Sequence, residues 1–481
     1  MKNTRRLPPI AYLIFTIVLV WSGNQLWQYI TQPRQNNLAD RRSVGERLLI
    51  KEIDSSEKRE GIKSFANGDY DAAIQHFQSA LQSQRNDPEG TIYLQNSMAI
   101  HKVGDPKKLI KIVAVVPIGS NINIAQEMLR GISQVQMEVN QRGGINGMPL
   151  TIEIFNDDNN PNIAKEVANQ AIQDPQILAV VGSNTSNASL AAAPTYQRAG
   201  LVMITPTSMD RDLSGIGSYI FRTTPTSQSL ATTLAQQIFT VDRHHKLAIC
   251  FDSLATDSVS FKEELTAAFA RLGGEISNFT CDMGAADFQP KDAIVKATNS
   301  SADALFIVSH IDRLPLAVQV AAANQGKLPL YSSPTLNTFQ TLQAGDVVSG
   351  LTLVTPWQSS LESQPGSFAD RSERIWGGKV SWRTATSFDA GMAIVTGLQQ
   401  SNGTRQGLQE ALHQPRFSAN GASSKVTFLS TGDRVLPPTI AQVREVDGKW
   451  VFVPLQPPTA VAPALRVPQL GQSVFIPPPQ K

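Results

Sequence analysis

The chain is poor in charged residues and in cysteine, and these shortages exclude several classes of protein. Charged residues make up 17% of the 481 residues, and 42 Lys and Arg nearly balance 40 Asp and Glu, giving a net charge of +2. A general nucleic-acid binder carries a one-sided field, so we expect no nucleic-acid partner. Two cysteines exclude a disulfide-rich scaffold and every four-cysteine zinc module.

Sequence signatures of catalysis are also missing. The sequence has no GxSxG nucleophile elbow, no HExxH zinc motif and no GxxxxGK[ST] phosphate loop. His244 and His245 are adjacent and do not share a helical face, and Glu127, Asp157 and Asp158 are interpreted as solvated or turn residues. We therefore predict no catalytic residue, no metal site and no cofactor.

Long hydrophobic runs are scarce, and the longest lies at the N-terminus. Lys2, Arg5 and Arg6 precede an apolar run over 10–21, with further apolar and aromatic residues over 26–30. This pattern predicts an uncleaved signal-anchor in 1–35, a membrane-spanning helix that leaves the rest of the chain outside the cytoplasm. The alternative is a cleaved secretory signal.

Residues 40–104 show helical periodicity, with two antiparallel helices expected on either side of Asn67-Gly68-Asp69. The segment resembles one tetratricopeptide repeat, and the positions that carry the resemblance are Gly61, Gly68-Asp69-Tyr70, Ala73, Phe77 and Ala80. The alternative is a helical spacer that packs on the main domain or on a partner. In both interpretations the segment supplies no strand to the core.

From Lys111 onward, short β-rich runs alternate with helical stretches, which predicts parallel sheets with helices on both faces. Nearly 350 residues of this pattern exceed one doubly wound sheet, so we expect two α/β lobes. The last 28 residues, 454–481, contain eight prolines and predict an extended, disordered tail.

Five motifs in this region resemble the type I periplasmic solute-binding proteins, most closely the leucine/isoleucine/valine-binding branch that serves ABC transporters. The motifs are KIVAVVP, VNQRGGINGMPL, IEIFNDDNNP, AVVGSNTSNASLAAAPTYQRAGLVMITPTSMD and YIFRTTP. The resemblance spans about 110–453 and implies two doubly wound lobes joined by a hinge that the chain crosses three times. It places lobe one at 110–224 and 355–436, and lobe two at 225–354 and 437–453.

Two polar loops at strand ends are the candidate ligand site. Gly182 to Asn187 follows the strand 177–181 and leads into a helix, whose N-terminus can receive a carboxylate without a basic side chain. The loop 205–209 follows the next strand in the same way, so the two loops should be neighbours. Ordinary N-capping is the alternative role of the first loop. The candidate ligand-binding residues in these loops are Asn184, Thr185, Ser186, Thr207, Ser208 and Met209.

The resemblance implies that Ser186 and Thr207 hold the α-carboxylate and α-amino groups of an amino acid, whereas Met209 replaces the usual hydroxyl. In the far lobe, His310 and Thr256 replace aromatic residues of the family, and His310 is a further candidate ligand contact. No carboxylate lies near 332–335 to pair with an ammonium. Loss of the Ser186 or Thr207 hydroxyl should weaken binding and leave stability nearly unchanged.

The chain is therefore interpreted as a membrane-anchored extracytoplasmic solute-binding component of an ABC transporter, which binds an amino acid or similar small polar solute. Its partners would be that solute, an ABC permease or other membrane protein, and the membrane. The alternative is a membrane-anchored ligand sensor or protein-interaction module with a modified or vestigial cleft. Cys250 and Cys281 are interpreted as small buried residues, with a disulfide as the alternative.

Overall fold

The computed structural model describes residues 38–362 and 364–455, which contain two central β-sheets and three N-terminal helices. The N-terminal helices are α1 (Ser56–Ala66), α2 (Tyr70–Ser83) and α3 (Pro88–Val103). Ser55, Asp69 and Asp87 cap them by accepting backbone N–H bonds. The helix pair expected on either side of Asn67-Gly68-Asp69 is therefore present, as α1 and α2.

The N-terminal segment does supply a strand, and our expectation that it supplies none is wrong. Strand β1 (Arg42–Ser43) pairs antiparallel with β3 (Leu150–Asn156) at the edge of the first sheet. At two residues, β1 is too short to produce a period-2 pattern in the sequence. Helix α3 packs on β3 and on α4 (Ile122–Gln141), so the segment is built onto the first lobe.

The first sheet has the strand order β1-β3-β2-β4-β5-β6, and every pair except β1–β3 is parallel. Alternate residues of β2 face opposite sides, with Ile112 and Ala114 in one apolar cluster and Val113 and Val115 in another. Its other strands are β2 (Ile110–Val116), β4 (Ile177–Val181), β5 (Val202–Thr205) and β6 (Ile220–Arg222).

Helices α4, α5 (Pro161–Gln173), α6 (Ser186–Arg198), α13 (Trp382–Gln399) and α14 (Arg405–Leu412) cover the first sheet. Gly131 allows α4 and α13 to approach closely, since a Cβ atom there would lie 2.3 Å from the Thr384 carbonyl oxygen. A small antiparallel pair, β13 (Ala419–Asn420) and β14 (Lys425–Val426), lies beside α13.

The second sheet has the order β16-β15-β12-β11-β10-β7-β8, with β9 also paired to β7. The strands β7 to β12 pair in parallel, and β15 and β16 extend the sheet as antiparallel strands. The strands are β7 (Lys246–Phe251), β8 (Glu275–Ile276), β9 (Cys281–Asp282), β10 (Ala304–Ile307), β11 (Leu330–Ser332), β12 (Thr352–Thr355), β15 (Thr439–Val446) and β16 (Lys449–Pro454).

The remaining helices lie between β6 and β13 in the chain. They are α7 (Ser227–Gln236), α8 (Thr256–Arg271), α9 (Pro290–Asn299), α10 (Leu314–Asn324), α11 (Phe339–Leu342) and α12 (Phe368–Trp376). The chain passes from β6 in the first sheet to β7 in the second, returns from β12 to α13, and passes again from β14 to β15. Three connections therefore join the lobes.

Cys250 and Cys281 form a disulfide that joins β7 to β9. The preference for two free buried thiols is wrong. The register of the two strands explains the bond, because Cys250 lies directly opposite Cys281 and their Cα atoms are 4.5 Å apart.

No helix in 38–362 or 364–455 is long and apolar enough to cross a bilayer. The predicted signal-anchor in 1–35 lies outside the described residues. So does the predicted tail beyond Leu455, whereas Pro454, its first predicted residue, ends β16.

Candidate functional site

The two candidate loops of the first lobe lie side by side. Strands β4 and β5 pair in parallel, so the loops that follow them leave the same edge of the sheet. The Thr207 Oγ1 donates a hydrogen bond of 2.6 Å to the Asn184 carbonyl oxygen, and Ser208 Oγ donates a longer one of 3.4 Å to the same atom. All three residues are buried, and the structure brings them together as the sequence suggests.

The Thr207 hydroxyl cannot donate to a ligand carboxylate in this arrangement. A hydroxyl has one proton, and Thr207 uses its proton on Asn184, so only its lone pairs face further partners. Ser208 is tied in the same way, since its Oγ lies 2.6 Å from Ser189 Oγ and 2.9 Å from Thr205 Oγ1. These two hydroxyls hold the loops in place.

The start of α6 offers hydroxyl and backbone N–H groups that remain available to a ligand. The Ser186 Oγ accepts a bond of 3.3 Å from the backbone N–H of Asp210, which leaves its own proton to donate. Thr185 is the N-cap residue, but its side chain caps no backbone N–H. Its buried Oγ1 has no hydrogen-bond partner within the described residues. The start of α6 therefore carries the backbone N–H groups of a first helical turn and two hydroxyls, which suits an anion.

Met209 does not join this polar group. Its side chain is buried in an apolar cluster with Leu230 and Leu234 of α7. The Met209 carbonyl oxygen accepts a hydrogen bond from Ser227 N at 2.9 Å, which fixes the loop against α7. The residue is apolar because it packs on the second lobe.

His310 lies at the end of β10, where the sequence places it. Its Nδ1 accepts a hydrogen bond from Asp312 N at 3.2 Å and so caps a short turn. The backbone N–H of His310 donates to Asp252 Oδ2 at 3.3 Å. The preceding residue, Ser309, is fully buried, and no atom of the described residues pairs with its Oγ. Among the described residues, the end of β10 in the second lobe thus also holds an unpaired hydroxyl.

Asp257, in the first turn of α8, is a site residue that sequence reasoning missed. Its Oδ1 is buried and finds no hydrogen-bond partner in 38–362 or 364–455. Burial raises the pKa of Asp257, and the nearby Asp210 carboxylate raises it further, while His310 acts in the opposite direction. The signal was present, because Asp257 directly follows Thr256, a position that the resemblance had already singled out.

Hydrogen bonds join the two lobes around this group. Asn187 Oδ1 accepts bonds of 2.9 Å from both the backbone N–H and the hydroxyl of Thr256, and Asn187 Nδ2 donates to the Leu254 carbonyl at 3.1 Å. Arg211 pairs with Glu263 of α8 at 2.6 Å. The starts of α6 and α8 therefore meet across the cleft, and the lobes are closed on one another.

Three acidic residues interpreted as solvated or turn residues have more specific environments. Asp157 is fully buried, and burial raises its pKa to about 6. Glu127 lies 3.6 Å from the buried guanidinium of Arg383. Asp158 does lie in a turn, where it pairs with Arg41 at 2.5 Å. The solvated interpretation is wrong for Asp157, which is fully buried, and for Glu127, whose side chain is 14% exposed and lies inside α4.

Among the described residues, no group of three or more His, Cys, Asp or Glu side chains could hold a metal ion.

A family model described as a periplasmic binding protein matches residues 110–448 of the chain. The chain belongs to the periplasmic binding protein family. The α/β fold predicted from the five motifs is confirmed.

Two curated relatives of this periplasmic binding protein match part of it. An amino acid binding protein from Pseudomonas aeruginosa is 30% identical over 135 residues, which are 28% of this chain and 36% of that protein. A Leu/Ile/Val-binding protein from Escherichia coli K12 is 32% identical over 123 residues, 25% of this chain and 33% of that protein. This chain therefore spans about a third of the length of the curated relatives that it matches.

Solved structures share the fold of this periplasmic binding protein over most of its length. A leucine binding protein from Thermotoga maritima has a TM-score of 0.64 at 18% identity and covers 72% of this chain and 98% of its own. A branched-chain amino acid binding protein from Streptococcus pneumoniae, in complex with isoleucine, has a TM-score of 0.62 at 18% identity over 73% and 100%. A solute binding protein from R. palustris, in complex with 4-hydroxybenzoate, has a TM-score of 0.64 at 16% identity over 72% and 96%.

Proposed function

We propose that the protein is the extracytoplasmic solute-binding component of an ABC transporter and binds an amino acid or similar small polar solute between its lobes. The observation that carries the proposal is a set of buried, unpaired polar atoms on both sides of the cleft. Among the described residues these are Thr185 Oγ1 on the first lobe and Ser309 Oγ and Asp257 Oδ1 on the second. Buried polar atoms cost free energy unless they are paired, and a polar solute would pair them.

The relatives support an amino acid as the solute. The curated relatives are described as binding an amino acid or Leu, Ile and Val, and one solved structure holds isoleucine. Other solved structures of the same fold hold benzoate or 4-hydroxybenzoate, so the fold alone does not select the solute. The groups at Ser186, Thr185 and Asp257 make the selection in this proposal.

We also propose that the N-terminal 1–35 segment anchors the protein in the membrane and that the lobes follow the divisions at Thr224, Thr355 and Leu436. Basic residues before an apolar run support the anchor, with an ABC permease as its partner in the membrane. The disulfide between Cys250 and Cys281 supports an extracytoplasmic compartment, because such bonds persist where thiols are oxidised.

A ligand sensor is the second candidate function, and one connection favours it. Arg41 pairs with Asp158, and the next residue, Asn159, donates to Asp312 of the second lobe at 3.2 Å. Asn159 Oδ1 also accepts a bond of 3.0 Å from Asn184 in the candidate site. The N-terminal helices, with their tetratricopeptide-like residues, could thus signal the state of the cleft to a protein partner.

The proposal is tested by a thermal-shift screen of residues 38–455 against amino acids, small amides and carboxylates. A ligand that raises the melting temperature is then measured by calorimetry on the parent and on Ser186→Ala. We expect roughly ten- to hundredfold weaker binding, because a hydrogen bond to a charged group contributes about 1.5–3 kcal/mol. Ser79→Ala, which removes an exposed hydroxyl of α2, is the matched control.

Thr207 requires a more conservative substitution than alanine in the same experiment. Its hydroxyl donates to the buried Asn184 carbonyl oxygen, so removal of the hydroxyl lowers the stability of the protein as well as its affinity for the solute. This differs from our expectation from the sequence. Thr207→Ser keeps this bond and removes only a methyl group. If no solute in the screen shifts the melting temperature, transport of these solutes is excluded and the sensor becomes the better hypothesis.

A further inference from the structure

The stretch 38–43, which we call the strap, lies beside the loop through which the first lobe meets the second. Its position follows from the pairing of β1 with β3, in which Arg42 lies opposite Phe155 and the strands are antiparallel. The residues before Arg42 therefore run past the carboxyl end of β3, toward the loop 157–160 that follows this strand. Leu38 packs against the apolar cluster that contains Phe155, which keeps the strap on the first lobe.

The loop 157–160, which we call the cleft loop, contacts both the second lobe and the candidate site. Asn159 Nδ2 donates a hydrogen bond of 3.2 Å to Asp312 Oδ1 of the second lobe. Asn159 Oδ1 accepts a hydrogen bond of 3.0 Å from Asn184 Nδ2, in the first polar loop of the site. One buried side chain thus takes part in an interlobe contact and in a site contact, so its position affects both.

The backbone of the cleft loop has a conformation that its surroundings must hold. Asp158 and Asn159 have φ angles of 52° and 56°, in the left-handed region that residues with a Cβ atom rarely adopt. The side chain of Asp158 supplies two of the contacts that hold it. Its Oδ1 accepts a hydrogen bond of 2.8 Å from Gly119 N, and its Oδ2 pairs with Arg41 Nη1 of the strap at 2.5 Å. The geometry of the loop therefore depends on the strap.

The strap is held in turn by the N-terminal helices. Asp40 pairs with Arg47 at 2.5 Å, and the Arg47 carbonyl oxygen accepts a hydrogen bond of 2.7 Å from the Tyr93 hydroxyl of α3. Two residues further on, Leu49 N donates to the buried carboxylate of Glu89, also in α3, at 2.7 Å. A continuous series of contacts thus joins α3, the strap and the cleft loop.

We propose that the strap regulates lobe closure: it holds the cleft loop through Arg41 and so favours the closed lobes, and its detachment weakens closure and solute binding. The part that concerns the solute rests on the proposed function. Arg41 is a positioning residue, because it acts on the second lobe through Asp158 and Asn159. Coupling between two sites is reciprocal, so closure must also tighten the strap on the first lobe. A partner protein that detaches the strap would lower the affinity of the cleft.

The Arg41–Asp158 pair also has a purely local role to be tested against this one. In that role it only fastens the strap, and its loss frees the strap and the cleft loop without any effect on the second lobe. The two roles differ at 310–313, which contains the Asp312 partner of Asn159. The N–H groups of residues 310, 312 and 313 are all hydrogen-bonded, so their rate of hydrogen exchange reports on the opening of this region.

The experiment is hydrogen–deuterium exchange, followed by mass spectrometry, on the full chain without solute. The variant Arg41→Gln removes the charge of the strap arginine, and Arg41→Lys keeps it. Asp158→Asn removes the charge on the other side of the pair. Arg59→Gln is the matched control, because Arg59 of α1 also pairs with an aspartate, Asp54, but within the N-terminal segment.

We expect Arg41→Gln and Asp158→Asn to raise the exchange rates roughly two- to tenfold at 310–313 as well as at 38–43, because the lobes open more often. Arg41→Lys should lie between Arg41→Gln and the parent, and Arg59→Gln should match the parent at both segments. For a solute found by the screen, Arg41→Gln should bind more weakly by a similar factor. The same solute at saturation should slow exchange at 38–43 in the parent.

Two results overturn the inference while leaving the proposed function intact. The first is faster exchange at 38–43 with unchanged exchange at 310–313 in both Arg41→Gln and Asp158→Asn. The second is a solute that binds Arg41→Gln as tightly as it binds the parent. If no solute binds the parent, the proposed function fails, whereas exchange at 310–313 in the ligand-free variants still decides whether the strap acts on the second lobe.

Discussion

At the scale of single residues, hydrogen bonds within the loops decide which polar groups of the cleft remain free for a ligand. Thr207 and Ser208 have the residue types of ligand-binding hydroxyls, yet their protons hold the two loops together. Thr185 has the residue type of an N-cap, yet its Oγ1 is unpaired in the described residues. The sequence predicts which loops form the site, because both follow strands. It does not predict how one hydroxyl proton is shared between two loops.

Asp157 leads to a prediction for the pH dependence of stability. Burial raises its pKa from 3.8 to about 6 in the folded protein, so the folded state binds its proton more tightly than the unfolded chain does. Its stabilising contribution is therefore present below pH 4 and is lost as the pH rises through 6. As the pH rises from 4 to 7, we expect the free energy of unfolding of Asp157→Asn to increase by roughly 2–4 kcal/mol relative to that of the parent.

Urea unfolding of both proteins at these two pH values measures this difference. The amide of asparagine can still accept the 3.0 Å bond from Asn159 N that Asp157 Oδ1 accepts, so the substitution changes mainly the charge. Asp292→Asn, at an exposed position, is the control and should follow the parent at both pH values. Parallel profiles for the parent and Asp157→Asn would show that the carboxyl is not desolvated.

At the scale of secondary-structure elements, one buried asparagine adds to the β1–β3 pairing and the packing of α3 in attaching the N-terminal segment to the first lobe. Asn96 of α3 lies in the interior, where its Nδ2 donates to the carbonyl oxygens of Val44 and Ile152 at 2.6 and 2.7 Å. Its Oδ1 accepts from Gln136 Nε2 at 2.7 Å and from Ile152 N at 3.0 Å. The amide thus serves β3 as a neighbouring strand would, at the point where β1 no longer pairs with it.

We expect Asn96→Ala to destabilise the first lobe by roughly 2–4 kcal/mol, because it leaves several buried polar groups of β3, α4 and the β1 segment without partners. The midpoint of urea unfolding, followed by circular dichroism, measures the loss. Gln95→Ala, a partly exposed residue of the same helix, is the matched control and should change stability by less than about 0.5 kcal/mol. Equal losses in the two variants would mean that α3 only covers the lobe.

This contact also explains a limit of prediction at the element scale. The helices and the longer strands follow from hydrophobic periodicity, and α1 and α2 lie where the sequence places them. β1 has two residues, and Asn96 acts through its side chain, so neither produces a periodic pattern. Removal of 40–104 should therefore expose the edge of β3.

At the scale of the whole molecule, two lobes and three connections follow from the five family motifs, whereas the contacts between the lobes do not. Those contacts involve polar residues far apart in the chain, such as Asn187 with Thr256 and Arg211 with Glu263. Each residue alone resembles an ordinary surface residue. Only the closed arrangement of the lobes shows that they meet.

The contacts of Asn187 lead to a prediction for lobe closure. Its three hydrogen bonds to Leu254 and Thr256 join the two lobes, so they stabilise the closed state and not either lobe alone. We expect Asn187→Ala to shift the population toward open molecules, which raises the radius of gyration of the ligand-free protein in small-angle scattering. Since tight binding requires the closed state, solute affinity should fall roughly three- to tenfold.

Unfolding in urea should change by no more than about 1 kcal/mol in Asn187→Ala, because the lobes keep their own cores. Asn299→Ala, at the exposed end of α9, is the control and should scatter and bind like the parent. A saturating solute should return Asn187→Ala to the radius of the parent, because ligand binding supplies the closing free energy that the variant lacks. If the ligand-free variant has the radius and affinity of the parent, other contacts keep the lobes closed, and the Arg211–Glu263 pair is the next to be tested.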